Sequence, residues 1–456
     1  MGGNAQAQPP AQTLSFTQAL QSMQSQSPQL AAGRRAVESA QLRREGMQGM
    51  GGPSVAVTGM AYRYSANVDI NLDPARNALG QALGQLPPDI LGVVGQLPQI
   101  PSNYQLQRQA STASASVSAI WPVYVGGMSD AVREGLDGMA QEAQADAALT
   151  GDQLQGTLVQ RYFTAQLAQR AAILRRRALE GVRAHDAAAQ RMLQAGVIAQ
   201  VERLQASAAL ADAQQQAQKA EGDARLALRA LGRTVQATGE VLPSTPLFVN
   251  AQPLPTVETF QAKAMQSHPG LDKVAAKRTQ AQALHDASEA LRKPQVLAFG
   301  MREVNTTGKP NWVAGMAVRW TLWDSVDRDK LAAAGQRSVE QAELTDAQLR
   351  SDIALLVEKN WLAVDQARVR YVQGQAQEDL ARELLRLRTA GLKEGTSTSL
   401  DLIDAQLNLA KIQTERASAA NDYVQALAAL LESAGQADDF EQYLARADIM
   451  ITPDAP

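Results

Sequence analysis

Two stretches of the chain alternate apolar and polar residues with the period of a β-strand. In 311–323, Trp312, Ala314, Met316, Val318 and Trp320 share one parity, and Val313, Gly315, Ala317, Arg319 and Thr321 share the other. Successive strand side chains point to opposite faces, so the first set predicts an apolar surface. Trp312 and Trp320 stand eight residues apart on it, roughly 26 Å at about 3.3 Å per residue. That distance matches the apolar band of about 25 Å between the aromatic girdles of a transmembrane barrel. In 110–124, Ser114, Ser116 and Ser118 share one face, and Ala115, Val117, Ala119 and Trp121 share the other. Each strand alone also fits an amphipathic sheet over a soluble core. The Trp spacing and the serine ladder together favour a membrane strand.

Elsewhere the pattern is helical and very long. Residues 126–194 and 325–393 each read as one helix, about 100 Å long at 1.5 Å per residue. Leu349, Ile353 and Leu356 follow seam spacing, as do Leu380, Leu384 and Leu387. Gln, Arg, Asp and Ala surround them. Narrow apolar seams between polar faces suit a tunnel wall, wet inside and out. An ordinary antiparallel coiled coil needs the same pattern.

The two halves repeat one another. Pro28, Pro53, Val55 and Gly59 recur 241 positions later as Pro269, Pro294, Val296 and Gly300. Trp121, Tyr162, Gly196 and Ala206 are answered 199 positions later by Trp320, Trp361, Gly395 and Ala405. The change of offset places 42 extra residues in the first half. The first repeat, 15–256, reads as a helix (15–48) and strands 53–66 and 110–124 with a long loop, 67–109. A long helix (126–194), a return helix (201–232) and an irregular connector (233–256) complete it. The second repeat, 257–434, holds a helix (257–292), strands 294–306 and 311–323, a long helix (325–393) and a return helix (400–434). Residues 1–14 read as a flexible N-terminus and 435–456 as a C-terminal tail. The loop carries Asp73-Pro74, Pro87-Pro88, Pro98 and Pro101, and its segment Leu79 to Leu97 is apolar enough to order.

Composition narrows the function. The 43 basic and 46 acidic residues are interspersed and leave a net charge of −3, with no electrostatic footprint for nucleic acid. There is no cysteine, so disulfides, thiolate metal sites and cysteine nucleophiles are excluded. No apolar run reaches the length of a transmembrane helix. Ala5-Gln6-Ala7 reads as the end of a signal-peptide cleavage site, or as part of a polar tail. His185, His268 and His285 are scattered, and no catalytic, cofactor or metal motif is present. An enzyme is not expected.

The strand pair before each long helix, the strand end Trp320-Thr321-Leu322-Trp323 and one turn motif together resemble the TolC family of outer-membrane efflux proteins. The motif is Gly395-Thr396-Ser397-Thr398-Ser399-Leu400-Asp401-Leu402-Ile403-Asp404-Ala405, with a weaker copy running from Gly196 through Glu202 to Ala206. The resemblance covers almost the whole chain. It implies a mainly α fold with a membrane β-barrel: a homotrimer whose twelve-stranded barrel continues into a long periplasmic α-helical barrel. It implies the exit duct of a tripartite efflux pump or a type I secretion system in the bacterial outer membrane. The implied partners are lipid, a periplasmic adaptor and an inner-membrane transporter of RND or ABC type. Trp121, Trp312 and Trp320 would form the aromatic girdle, and Gly196 and Gly395 the helix-tip turns. Asp401 and Asp404 fall at the family's acidic aperture, with Glu202 at the matching place in the first repeat. Read from the residues alone, Ser399 as N-cap with Asp401 in the first turn accounts for part of this motif. Some members latch the closed state with a basic residue in the tip turn; Ser397 stands there here. The alternative reading is a periplasmic coiled-coil adaptor without a barrel. A cytosolic helical scaffold would not need the paired extended segments.

Overall fold

The computed structural model describes residues 12–83, 101–304, 311–323 and 325–451. Ala5-Gln6-Ala7, Pro87-Pro88, Pro98 and the last residues of the expected strand 294–306 lie outside the described residues. So does most of the segment Leu79 to Leu97. The chain divides into a helical unit (residues up to Gln48, Asp130–Asp286 and Asp329 onward) and a β unit (Gly49–Ser129 and Ala287–Arg328).

In the helical unit, β1 (Gln12–Leu14) leads into α1 (Phe16–Gln26) and α2 (Pro28–Gly46). The helix expected over 15–48 is therefore two. Ser27 ends α1 and caps α2, its Oγ accepting from Leu30 N–H, and Pro28 occupies the first turn of α2. Proline lacks the N–H that would continue the first helix but suits the start of the second. The second repeat breaks alike, into α6 (Val257–Ser267) and α7 (Pro269–Ala290) at His268.

The long helices are α4 (Met128–Gln194) and α8 (Arg328–Glu394), 67 residues each. Each turns back into a 35-residue partner, α5 (Gln200–Thr234) or α9 (Ser399–Ser433). Their equal lengths match the constant offset of the sequence repeat.

The core of this unit is aromatic. Phe16, Tyr162, Phe163, Phe248 and Phe440 are almost fully buried, with ring centroids 5.0–6.1 Å apart. The expected connector 233–256 contributes to it through two short strands, β4 (Val241–Pro243) and β5 (Leu247–Val249). Residues 12–14, expected to be flexible, pair with β4 in parallel, while β5 pairs antiparallel with β8 (Ile449–Ile451) of the tail. The apolar triplet Leu247-Phe248-Val249 is buried. That burial stabilises a strand too short to hold by its ladder alone. Tyr162 Oη donates to Leu14 O at 2.7 Å and accepts from Thr245 N–H at 2.8 Å. Gln166 Nε2 donates to Pro243 O and Thr245 O, 2.7 Å each. These bonds fix the short strands to α4. The tail also forms a 3-10 turn (Ala437–Asp439) and α10 (Phe440–Ala445).

Beside that turn, Asp152 of α4 has its carboxyl pushed up to about 6, first by burial and then by the charges of Asp438 and Glu432. An acid whose pKa is higher in the fold than in the unfolded chain favours the fold while protonated. Stability from this group is therefore complete below about pH 4 and is lost as pH rises through 6. Asp152→Asn should raise stability by about 1–2 kcal/mol at pH 8 after allowance for solvent screening. Thermal midpoints of the two proteins should converge below about pH 4.

In the β unit, β2 (Ser54–Asn71), β3 (Asn103–Tyr124), β6 (Gln295–Glu303) and β7 (Trp312–Arg319) form an antiparallel sheet in the order β2-β3-β6-β7. The strands expected over 53–66 and 110–124 run further, to Asn71 and back to Asn103. The expected loop 67–109 shrinks accordingly, and its described part begins with α3 (Asp73–Leu83). Val68, Ile70, Tyr104 and Leu106 supply the β-branched and aromatic residues that keep those segments extended. At the other end, the expected strand 311–323 stops at Arg319, opposite Gln295. The residue before Gln295 is Pro294, which has no N–H to extend the ladder.

Candidate channel sheet and helical tips

In the sheet, directly opposed residues share a face. Val55, Val57, Val117, Ala119, Trp121, Ala298, Met316 and Val318 fall together on one face by register. Ser114, Ser116 and Ser118 fall on the other. Trp312, Met316 and Val318 are 75%, 68% and 70% exposed, so none of the described residues covers them. Contiguous bare apolar surface of this kind marks contact with lipid or another protein. Trp312 opens β7, and Trp320 lies one residue past its end, where its Nε1 donates to Arg292 O at 3.2 Å. Trp121 is opposite Ala298, which is opposite Met316. It is thus four residues from each of the other two along the strand direction. Among the described residues, the outer sides of β2 and β7 pair with no strand.

The helical unit bears a second bare stripe. Leu344, Leu355, Leu362, Leu380 and Leu387 of α8 are exposed, and their spacings of 11, 7, 18 and 7 residues are near multiples of 3.6, which places them on one line. The two triplets read as one seam separate here. Ile353 is buried and Leu349 packs at the core's edge, whereas Leu380, Leu384 and Leu387 face outward. Nearby, Glu378 is buried between α8 and α9 and joins both. Its carboxylate accepts from Arg382, from Arg416 at 2.6 Å and from Gln413 at 3.2 Å. Burial opposes its ionisation, but these donors outweigh it and hold the carboxyl below the usual range.

The hairpin turns differ from one another. Gly196 (φ +70°) and Gly395 (φ +75°) take the left-handed conformation that ends α4 and α8. Val197 N–H then donates to Met192 O at 2.9 Å, and Thr396 N–H to Gly391 O at 2.8 Å. The return helix α9 is capped by Thr398, not by Ser399. Thr398 Oγ1 accepts from Asp401 N–H at 3.1 Å, and the Asp401 carboxylate accepts from Thr398 N–H at 2.9 Å. This reciprocal pair is a capping box. The Thr398 hydrogen bonds, helped by Arg388 at 3.9 Å, hold the Asp401 carboxyl below its usual range. Ala199, at the matching place, gives α5 no side-chain cap. Ser397 Oγ lies where a Cβ on Gly391 would meet it at 2.5 Å.

Asp404 and Glu202 are exposed. Among the described residues, no three His, Asp or Glu side chains gather as metal ligands. What brings the two hairpins together is apolar. Ile403 of α9 is wholly buried with Val182 and Ala189 of α4 and Ala206 and Ala213 of α5. His185 faces Gln406 in the same seam, and burial lowers its pKa although the Gln406 hydrogen bond opposes this.

Solved structures share this architecture. The outer-membrane channel OprN superposes with a TM-score of 0.73 at 16% identity, over 92% of this chain and 90% of that one. The Campylobacter jejuni CmeC outer membrane channel gives 0.74 at 12% identity, over 95% and 90%. The open state of the Neisseria gonorrhoeae MtrE outer membrane channel gives 0.74 at 16% identity, over 92% and 89%. The fold is that of the TolC-like outer-membrane efflux channels. No family model matches the sequence, and no curated protein matches it.

Within this TolC-like fold, sequence reasoning found Gly196, Gly395 and Asp401 in their turns. It missed Arg203, whose guanidinium pairs with Asp186 at 2.6 Å across the first hairpin. It also missed Arg388 beside Asp401 and the buried Glu378. Each is one half of an interhelical pair whose partner lies more than a dozen residues away or on another helix. The described helices include none long and apolar enough to cross a membrane.

Proposed function

We propose that this chain is an outer-membrane channel, the exit duct of an efflux pump or a type I secretion system. The observation that carries this reading is the four-stranded sheet with one bare apolar face and two edges that pair with no described strand. In lipid each unsatisfied backbone group costs several kcal/mol, so such a sheet must close. Closure needs at least about eight strands, and the described residues of one chain bring four to this sheet. Three copies would make a twelve-stranded barrel, with the Ser114, Ser116 and Ser118 face lining the bore. Trp312 and Trp320 would sit at its two interfacial belts, with Trp121 on the same outward face between them.

The same symmetry would use the α8 stripe. Leu344, Leu355, Leu362, Leu380 and Leu387 are exposed, and a neighbouring copy is the cover that a closed wall of helices supplies. The two repeats, 15–256 and 257–434, would then contribute equivalent helices to a periplasmic barrel. Its tips would present Asp401, Asp404 and Glu202 around the aperture, in threefold rings that favour cations. Adaptor and RND-type or ABC-type transporter would engage there. The Asp401 carboxylate serves as cap and as ring at once. Fractionation of cells tests the reading. The protein should appear in the outer-membrane fraction and leave it only with detergent. Recovery in the soluble fraction would exclude a channel and leave a periplasmic adaptor.

A further inference from the structure

The β2–β3 hairpin outruns the rest of its sheet. Its strands pair from Ser54 opposite Ile120 to Asn71 opposite Asn103, while among the described residues the β3–β6 ladder begins at Ser116. Residues 61–71 and 103–113 therefore form a two-stranded arm, directed away from the end where the chain enters at Gly49 and leaves at Ser129. Along the arm the amphipathic phase inverts. The face that carries Val55, Val57 and Val117 beside β6 carries Asn67, Asp69, Asn71, Gln105, Gln107 and Gln109 in the arm. The face that carries Ser114, Ser116 and Ser118 carries Tyr62, Tyr64, Val68, Ile70, Tyr104 and Leu106, with one charge among them, Arg108 opposite Ala66. The register runs through the change without a slip, so the inversion is written in the sequence and is not caused by a bulge.

This arrangement gains a meaning if the channel reading holds, on which the inference rests. Outside the bilayer the outward face must become polar, and here it does. The bore-side face becomes apolar at the same level except for Arg108, with those six apolar side chains 37–52% exposed in the single chain. Val68 lies opposite Leu106 and Ile70 opposite Tyr104, so the apolar side chains form cross-strand pairs. A two-stranded ribbon is at best marginally stable in water without cover. Threefold symmetry presents the identical face of each copy to a common axis. We infer that the three arms lean together beyond the barrel and bury these faces against one another, forming an apolar and aromatic collar that narrows the outer mouth. A constriction of this kind resists water and ions until it opens.

The chain has no cysteine, so a single introduced cysteine can pair only with its copy in another subunit. A disulfide forms when the two Cα atoms approach within about 7 Å. The full chain, extracted in detergent and oxidised with copper phenanthroline, provides the test. Val68→Cys and Ile70→Cys on the inner face should give covalent dimers at least about tenfold more than Asn67→Cys and Asp69→Cys on the outer face. Failure of both inner-face cysteines to cross-link, in protein that is trimeric by size, would overturn the collar. So would equal cross-linking from the two faces. A monomer that stays soluble without detergent would instead overturn the channel reading.

Discussion

Phe163→Ala is expected to cost about 3–5 kcal/mol of stability. The ring lies at the centre of the helical unit, wholly buried, and meets Phe16, Tyr162, Phe248 and Phe440. These partners come from α1, α4, β5 and α10, so one side chain holds segments of the first repeat to the C-terminal tail. Removal leaves a cavity that rigid helices and short strands fill poorly, and the loss of transfer energy adds to the cavity term. Aromatic pairs at these distances contribute a further ~0.5–1.5 kcal/mol each. Thermal unfolding followed by circular dichroism should show the midpoint fall by several degrees. Leu380→Ala, at an exposed site on α8, should leave the unfolding of a single chain unchanged and weaken only assembly. A neutral Phe163→Ala would mean that the aromatic cluster does not hold the unit together.

The second large effect concerns the sheet. Met316→Arg places a charge on the apolar face and should cost about 2–4 kcal/mol of folding into a bilayer. Ala317→Arg, one residue along, projects from the opposite face and should be close to neutral. Both variants introduce one arginine, at adjacent positions that face opposite ways. Folding into vesicles, read by heat-modifiable mobility on gels, should separate them. Equal behaviour would show that neither face meets lipid.

What the sequence revealed depended on constant period. The apolar parity of β7 and the Ser114–Ser118 ladder keep one phase, and both were legible. The long helices were legible too, from length and from the glycines that end them. The outer half of the β2–β3 hairpin was not, because its phase inverts near Ala61 and Ala113 and a fixed parity no longer describes it. Pro28 and Pro269 are visible in the sequence as repeat markers, while their local effect, a break between one helix and the next, depends on the capping geometry around them. The aromatic core draws Phe16, Phe163, Phe248 and Phe440 from four distant segments, and no local pattern joins them. At the tip the cap moved by one residue, to Thr398, because only its hydroxyl sits three residues before Asp401 as a capping box requires. Ser399 lies too close in sequence to do so.

In the proposed channel, four strands from each copy join through the outer edges of β2 and β7. The mass of the detergent-extracted protein, measured by native mass spectrometry after release from the micelle, tests it most directly. The expected species holds three chains and no fewer. A single chain, stable and soluble with detergent removed, would contradict it.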